Sequence, residues 1–422
     1  MPSNIPSAIA GYLRKRAASK IWSIEGHPTG PFSGAIVIPS LAESDNLPQT
    51  LHSLALNPSE LLSRFMILVV VNHRVDAEDP EKRDNQLTLQ LLPAWKRDYG
   101  LEHLYWVDAA SYECELPAKQ GVGLARKIGL DLALQHLDYS GDDPLLVCLD
   151  ADTIVQPDYL EKIMAHFAEA AEGGASITYR HRPAADAQVQ AAIERYELFL
   201  RSYVLGLQQA GSPYAFHTVG SAMACRASAY VAAGGMNRRL AGEDFYFLQQ
   251  VYKVAGVAPL TGTMVHPSPR ASARVPFGTG RAVGDMLVRG RDNLLFYHPQ
   301  LFNILRKWLS CVAGHGGAGG KELLLRAGLI APELRDYLEK AGFSAAWDSL
   351  LRHNPDEKRL MAAFHGWFDA FRTMRMMHHL TDAAYHRVAP EDGVAASLKL
   401  AGVDCPADVP AMLEQLRSIQ GA

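Results

Sequence analysis

Asp150 and Asp152 close the aliphatic run LLVCL (145–149), and Gln156, Pro157, Asp158 and Glu161 follow as a helix-start pattern. Alternate residues of an extended segment face the same way, so both carboxylates can point from the mouth of a sheet. Open α/β sheets bind ligands there. Two hard oxygen ligands at that spacing suit a divalent cation whose shell is completed by substrate phosphates. The competing reading is local: Asp150 caps a turn and Asp152 caps the following helix. Gly242-Glu243-Asp244 offers a second pair of acids, which would complement a helix dipole. Neighbouring helical residues diverge by ~100°, so only one of the two can face a pocket as general base to an alcohol. His266 ends a probable sheet segment. A lone His is more often structural, but beside two carboxylates it would complete a site for manganese or magnesium.

Two cationic segments accompany these acids. GVGLARK (121–127) opens a helix with glycines that admit a ligand close to the backbone, and Arg126 and Lys127 follow one turn in, where they could meet phosphate. The plainer alternative is a tight turn with two solvated cations. The stretch PSPRASARVPFGTGRA (267–282) is aperiodic and reads as a loop. Its Arg270, Arg274 and Arg281 could clamp a diphosphate or an anionic acceptor, or simply be solvated.

The elements that must position these groups alternate. Strands are expected at 35–39, 64–71, 103–107, 145–149, 175–179 and 220–226, with a strand or loop at 260–266. Helices are expected at 46–56, 81–98, 121–137, 157–171, 185–208 and 242–256. This alternation argues for an α/β fold with a parallel sheet and helices on both faces. From about residue 283 the pattern is all-helical. The expected domains are an arm with a short basic helix (1–33), an α/β domain (34–285) and a helical C-terminal region (286–422).

Composition narrows the partners. Of 422 residues, 41 are Lys or Arg and 45 are Asp or Glu, for a net charge of −4, which gives no broad field for nucleic acid. Five scattered cysteines without a C-x-x-C pair suggest reduced thiols and a cytoplasmic location rather than a disulfide framework. No apolar run approaches the ~20 residues of a membrane-spanning helix. Peripheral attachment to a membrane and a homo-oligomeric state both stay open. Some motifs fail their context. GHGGAG (314–319) matches a dinucleotide pattern but follows a helix, not a strand. Gly320-Lys321-Glu322 lacks the hydroxyl of a phosphate loop, and His378-His379 sits among core-facing helical residues.

Taken in order, AIVIPSLAESDNLPQTLHSL (35–54), GLARKIGLDLAL (123–134), LDADTIVQPDYL (149–160) and GGMNRRLAGEDFYF (234–247) resemble the family 2 glycosyltransferases of GT-A fold. That resemblance covers about residues 34–285. It implies a Rossmann-like, mostly parallel mixed sheet and transfer of a sugar from a nucleotide-diphosphate sugar to an acceptor hydroxyl. The acceptor would be a small molecule, a glycan or a lipid head group. It also implies dependence on Mn2+ or Mg2+ held by Asp152, with Asp150 and His266 beside it. The nucleotide would lie near Pro39, Glu43, Asp45, Asn72, Arg126 and Asp150, with Arg270 and Arg274 at the diphosphate. Asp244, or Glu243 in its place, would deprotonate the acceptor, with inversion at the anomeric centre. The sequence departs from the family at Asn72-His73, where an acid is usual, and at Lys127, where Asn is usual. A nucleotidyltransferase is one alternative, although SLAESDN (40–46) lacks the Gly-rich basic loop it would need. A non-catalytic nucleotide-sugar-binding protein is another.

Overall fold

The runs at 35–39 and 65–71 form β1 (Gly34–Ser40) and β2 (Phe65–Asn72), and every residue of both strands is buried. Strands covered on two faces read as unbroken apolar runs, so their composition already says that helices lie above and below. The structure, a computed structural model, describes residues 5–18, 21–272 and 278–422. The remaining strands are β3 (Leu104–Ala109), β4 (Leu145–Cys148), β5 (Ile154–Val155), β6 (Gly174–Tyr179), β7 (Met223–Arg226) and β8 (Val257–His266). Among the described residues they form one eight-stranded sheet in the order β3-β2-β1-β4-β7-β6-β8-β5. Pairing is parallel from β3 through β4 and between β6 and β8. It is antiparallel between β4 and β7, β6 and β7, and β5 and β8. The expected α/β architecture, a mixed sheet with helices on both faces, is therefore present, followed by helices.

Helices cover the sheet on two sides. On one, α2 (Leu47–Ala55), α4 (Asp79–Asp98) and α6 (Tyr159–Glu169) bury Leu51, Leu54, Leu92, Trp95, Ile163 and Phe167 against Ile36, Ile38, Ile67 and Val69. A short α3 (Ser59–Leu62) precedes β2. On the other side α5 (Val122–Ala133) lies so close that a Cβ on Gly129 would overlap Val37 and Val70. After α7 (Ala187–Gln209), α8 (Ala227–Ala232) and α9 (Glu243–Ala255) complete this layer, with α9 against β6 and β8. The two-residue β5 is invisible to periodicity, and it pairs Ile154 with His266. The expected loop 267–282 ends early, since α10 (Thr279–Arg289) takes in Arg281.

The N-terminal basic helix is α1 (Ser7–Arg16), which buries Ile9 and Tyr12. Asp131, wholly buried on α5, holds it. Its carboxylate accepts from Tyr12 OH at 2.8 Å, Tyr230 OH at 2.7 Å and Ala18 N at 2.7 Å. Lys127 Nζ stands 2.9 Å from Asp131 Oδ2 and donates to Tyr12 OH at 2.6 Å. The expectation of phosphate contact for Lys127 is thereby corrected. A buried ammonium needs a carboxylate partner, and here that partner is Asp131, one turn further along α5.

The chain divides into two compact units. The first contains the described residues up to 189, with 218–284 and 421–422; the second contains 190–217 and 285–420. Its end at 284 falls where the sequence turns all-helical, while most of α7 groups with the second unit. That unit has its own core around Trp308, Trp347 and Phe364. Within it Glu197, wholly buried, accepts from Arg201 Nε and Arg417 Nε, both at 2.8 Å. His378 hydrogen-bonds Tyr297 OH and His379 pairs with Asp336, both inside the helical unit. No helix among the described residues is long and apolar enough to cross a membrane.

Candidate active site

The site forms where two neighbouring strands part. β1 pairs with β4 only as far as Val37 opposite Cys148, yet it continues beside β2 to Ser40 opposite Val71. Pro39 has no N–H to offer on that edge. The turns after β1 and β4 therefore diverge at the carboxyl edge, next to the point where the chain reverses direction across the sheet, and such crevices bind ligands.

Each turn is pinned. After β1, Ala42 adopts φ +51°, its N–H donates to Asn85 Oδ1 at 2.9 Å, and Ser44 Oγ donates to Asp84 Oδ2 at 2.6 Å. Glu43 is thereby directed inward and buried, whereas Asp45 stays exposed. After β4, Thr50 Oγ1 donates to the Ala151 carbonyl at 2.9 Å, and Val155 N donates to Ser53 Oγ at 3.1 Å. Neither Asp150 nor Asp152 caps α6. The N-cap position is Asp158, whose carboxylate accepts from Thr263 Oγ1 at 2.8 Å instead. Asn72 braces the rim: its side-chain nitrogen donates to the Ser40 carbonyl at 3.1 Å and the Val70 carbonyl at 2.9 Å. Pro39 is likewise buried in β1.

Two ionic clusters occupy the crevice. In the first, Arg126, 2% exposed, donates through Nη2 to Asp150 Oδ1 and through Nη1 to Glu243 Oε1. Burial opposes its charge, but the two carboxylates outweigh that and keep it cationic. Gly220 leaves space for the guanidinium, since a Cβ there would lie 3.0 Å from Cζ. Burial pushes the Glu243 carboxyl up despite Arg126. Asp244 follows on the same first turn, and its Oδ1 accepts from Phe245 N at 2.7 Å. Burial and the charge of Glu243 push the Asp244 carboxyl up to about 7.

In the second cluster, Arg270 Nη2 donates to Glu43 Oε1 and stands 3.0 Å from Asp152 Oδ2. Asn46 Nδ2 donates to Glu43 Oε2 at 2.8 Å. Arg182 Nη2 donates to the Asp152 carbonyl and Nη1 to Gln49 Oε1, each at 3.1 Å. Burial and the Glu43 charge push the Asp152 carboxyl up to about 6 against the pull of Arg270. The charge of Asp150 reaches both Asp152 and Asp244 and so links the clusters.

The structure thus brings together Glu43, Asp152 and Arg270, and separately Arg126, Asp150, Glu243 and Asp244. His266 Nδ1–H donates to the Arg180 carbonyl at 3.1 Å. Among the described residues no group of three or more His, Cys, Asp or Glu is arranged to hold a metal ion, so the expected trio of Asp150, Asp152 and His266 is not preassembled. Arg274 lies outside the described residues. Sequence reasoning missed Arg182 and Gln49. The available signal was a pair of arginines, Arg180 and Arg182, directly after a strand that ends at the same sheet edge.

The α5 opening and the stretch before α9 are locked together at Gly123. Its N–H donates to the Arg239 carbonyl at 3.2 Å, and a Cβ would sit 2.7 Å from both the Asn237 and Arg239 carbonyl oxygens. Gly123→Ala is expected to destabilise the first unit by about 1–3 kcal/mol through this overlap, read as a lower urea midpoint. An unchanged midpoint would mean that the 237–239 backbone yields without cost.

The model of glycosyl transferase family group 2 matches residues 145–271, which include Asp150, Asp152, Glu243, Asp244, His266 and Arg270. No curated protein matches the chain. Among solved structures it is similar to S. aureus TarS 1–349 in complex with UDP-GlcNAc, at 12% identity and TM-score 0.40, covering 78% of this chain and 90% of that one. It is similar to glucosyl-3-phosphoglycerate synthase from Mycobacterium tuberculosis at 13% identity and TM-score 0.37, covering 71% and 82%. It is also similar to the mannosyltransferase PcManGT from Pyrobaculum calidifontis at 15% identity and TM-score 0.38, covering 86% and 93%.

Proposed function

We propose that this chain, of which residues 145–271 match the model of glycosyl transferase family group 2, moves a sugar from a nucleotide-diphosphate sugar to an acceptor hydroxyl with the help of a divalent cation. The observation that carries this reading is the pairing of Asp152 and Glu43 carboxylates around one guanidinium in a buried crevice. Burial first, then the charge of Glu43, pushes the Asp152 carboxyl up to about 6 although Arg270 is alongside. Hard oxygen donors short of positive charge fit manganese or magnesium, with the remaining ligands drawn from phosphate and water. Asp152 would hold the ion, with Asp150 and His266 as flanking donors. His266 donates through Nδ1 to the Arg180 carbonyl, and a backbone carbonyl commonly fixes a metal-binding histidine in this way. Bound there, the ion would stabilise the negative charge that develops on the departing diphosphate.

The chain's own groups supply the rest. Arg270 and Arg182 place guanidinium charge at the Asp152 turn, where a diphosphate would be recognised. Asp244 is the base. Its partner Glu243 has an oxygen committed to Arg126, while the Asp244 contact is a backbone N–H on its own helix turn. A carboxyl pushed up toward neutrality is matched to taking a hydroxyl proton. Attack by that oxygen opposite the leaving diphosphate gives a single displacement and inversion. The turn carrying Glu43 is acidic and pinned by α4, unlike the basic glycine loop that a nucleotidyltransferase needs.

The test is thermal. Saturating UDP or GDP with Mn2+ is expected to raise the first unit's melting temperature, and Asp152→Ala should abolish the shift. A ligand at a hundred times its Kd adds about 2.7 kcal/mol, or roughly 5–10 °C for a unit of this size. Absence of any shift with either nucleotide, or an undiminished shift in Asp152→Ala, would remove the reading.

A further inference from the structure

Asp152 and Glu43 come from turns after different strands, and one guanidinium joins them. Arg270 Nη2 donates to Glu43 Oε1 and lies 3.0 Å from Asp152 Oδ2. The other cation of this cluster is held differently. Arg182 grips the Asp152 main-chain carbonyl and Gln49, so it positions the turn without engaging the carboxylate oxygens. Thr50 anchors the same turn, and Asp84 and Asn85 anchor the Glu43 turn. The two carboxylates therefore have fixed backbones of their own. Arg270, by contrast, comes from the stretch after β8, and its side chain keeps 31% of its surface exposed.

We propose that Arg270 is a displaceable counter-ion, which neutralises Asp152 and Glu43 in the free protein and leaves them for the diphosphate when a divalent cation takes up Asp152. The inference rests on reading this crevice as a cation and nucleotide-diphosphate site. The reason is charge balance. Asp152 and Glu43 share one guanidinium at their carboxylate oxygens, Arg182 being held at the main-chain carbonyl, and a divalent cation competes with Arg270 for the same Asp152 oxygens. A cation arriving alone must dislodge Arg270 from Asp152 and leave the guanidinium with Glu43 as its one remaining carboxylate partner. A diphosphate removes that penalty, because phosphate oxygens match the two-pronged guanidinium as well as carboxylates do. Cation and nucleotide then bind as a cooperative pair, and Arg270 is a source of the coupling. Coupling between binding sites is reciprocal, so each ligand must tighten the other by the same factor.

Calorimetric titration of the full chain with Mn2+, with and without saturating UDP or GDP, tests this. In wild type the nucleotide should tighten Mn2+ at least about tenfold, within the usual range of such couplings. Arg270→Gln should bind Mn2+ alone several-fold tighter than wild type and bind nucleotide with Mn2+ more weakly. Its coupling should shrink to about threefold or less. Arg270→Lys, which keeps the charge but loses the fork, should fall between the two, and melting curves should confirm that both variants are folded. Coupling in Arg270→Gln equal to that of wild type would remove Arg270 from this role while leaving the site reading intact. Failure of wild type to bind either nucleotide with Mn2+ would overturn the site reading itself, and this inference with it.

Discussion

Asp244→Asn is expected to retain the nucleotide-linked thermal shift and to lose sugar transfer by about 10²–10⁴-fold, the usual contribution of a positioned general base. Asparagine preserves size and still accepts the Phe245 N–H, so the first turn of α9 should stand. What disappears is the ability to take a proton. The wild-type pH profile carries the same information. A base works in its deprotonated form, and burial with the Glu243 charge pushes the Asp244 carboxyl up to about 7. Below that value the carboxyl is protonated and the rate should fall about tenfold per pH unit; above it the rate should level off. The residual activity of Asp244→Asn should lack this acidic limb. Full turnover in the variant, or an unchanged limb, would assign the base elsewhere. Glu243 is the less suitable choice, because an oxygen of its carboxylate is engaged by a fully buried arginine.

Arg126→Met should be the most damaging single change to stability in the first unit. Its guanidinium stands between Asp150 and Glu243, and Glu243 has almost no contact with water. Methionine fills part of the volume but leaves a buried carboxylate without its counter-charge, which costs about 3–5 kcal/mol. For a unit of this size that corresponds to roughly 6–20 °C in melting temperature. Arg126→Met with Glu243→Gln should recover part of the loss, because the second change removes the uncompensated charge. A strictly additive pair would show that the two side chains do not depend on each other. A wild-type melting temperature for Arg126→Met alone would show that the clamp carries no stability.

How much of this was legible from residues alone differs by element. The strands β1, β2 and β4 were readable because burial on both faces leaves only aliphatic side chains, a signal that needs no partner to be recognised. The acids at 150, 152, 243 and 244 were readable as candidates because each pair follows a strong local marker, a strand end or a glycine-led helix start. The two-residue β5 was not readable, since it is a strand only by virtue of β8 beside it. Lys127 was misread for a related reason. On its own helix it is indistinguishable from Arg126, and only Asp131 with Tyr12 of α1 shows that its charge is spent on holding α1. Asn72, set near the nucleotide by the resemblance, has a side-chain nitrogen that braces the ends of β1 and β2, a role no residue-by-residue reading announces.

The sequence by itself determined the α/β alternation, the buried sheet and the kinds of group that gather at its carboxyl edge. These follow from local periodicity and residue chemistry. Only the tertiary structure decided which acid meets which base. Arg126 lies 24 residues from Asp150 and 117 from Glu243, and Arg270 lies 227 from Glu43. An ion pair is selected by distance and by the loss of water around it, and neither quantity exists along the chain until the strands have set their order. For that reason Asp150 and Asp152, two residues apart, pair with different arginines.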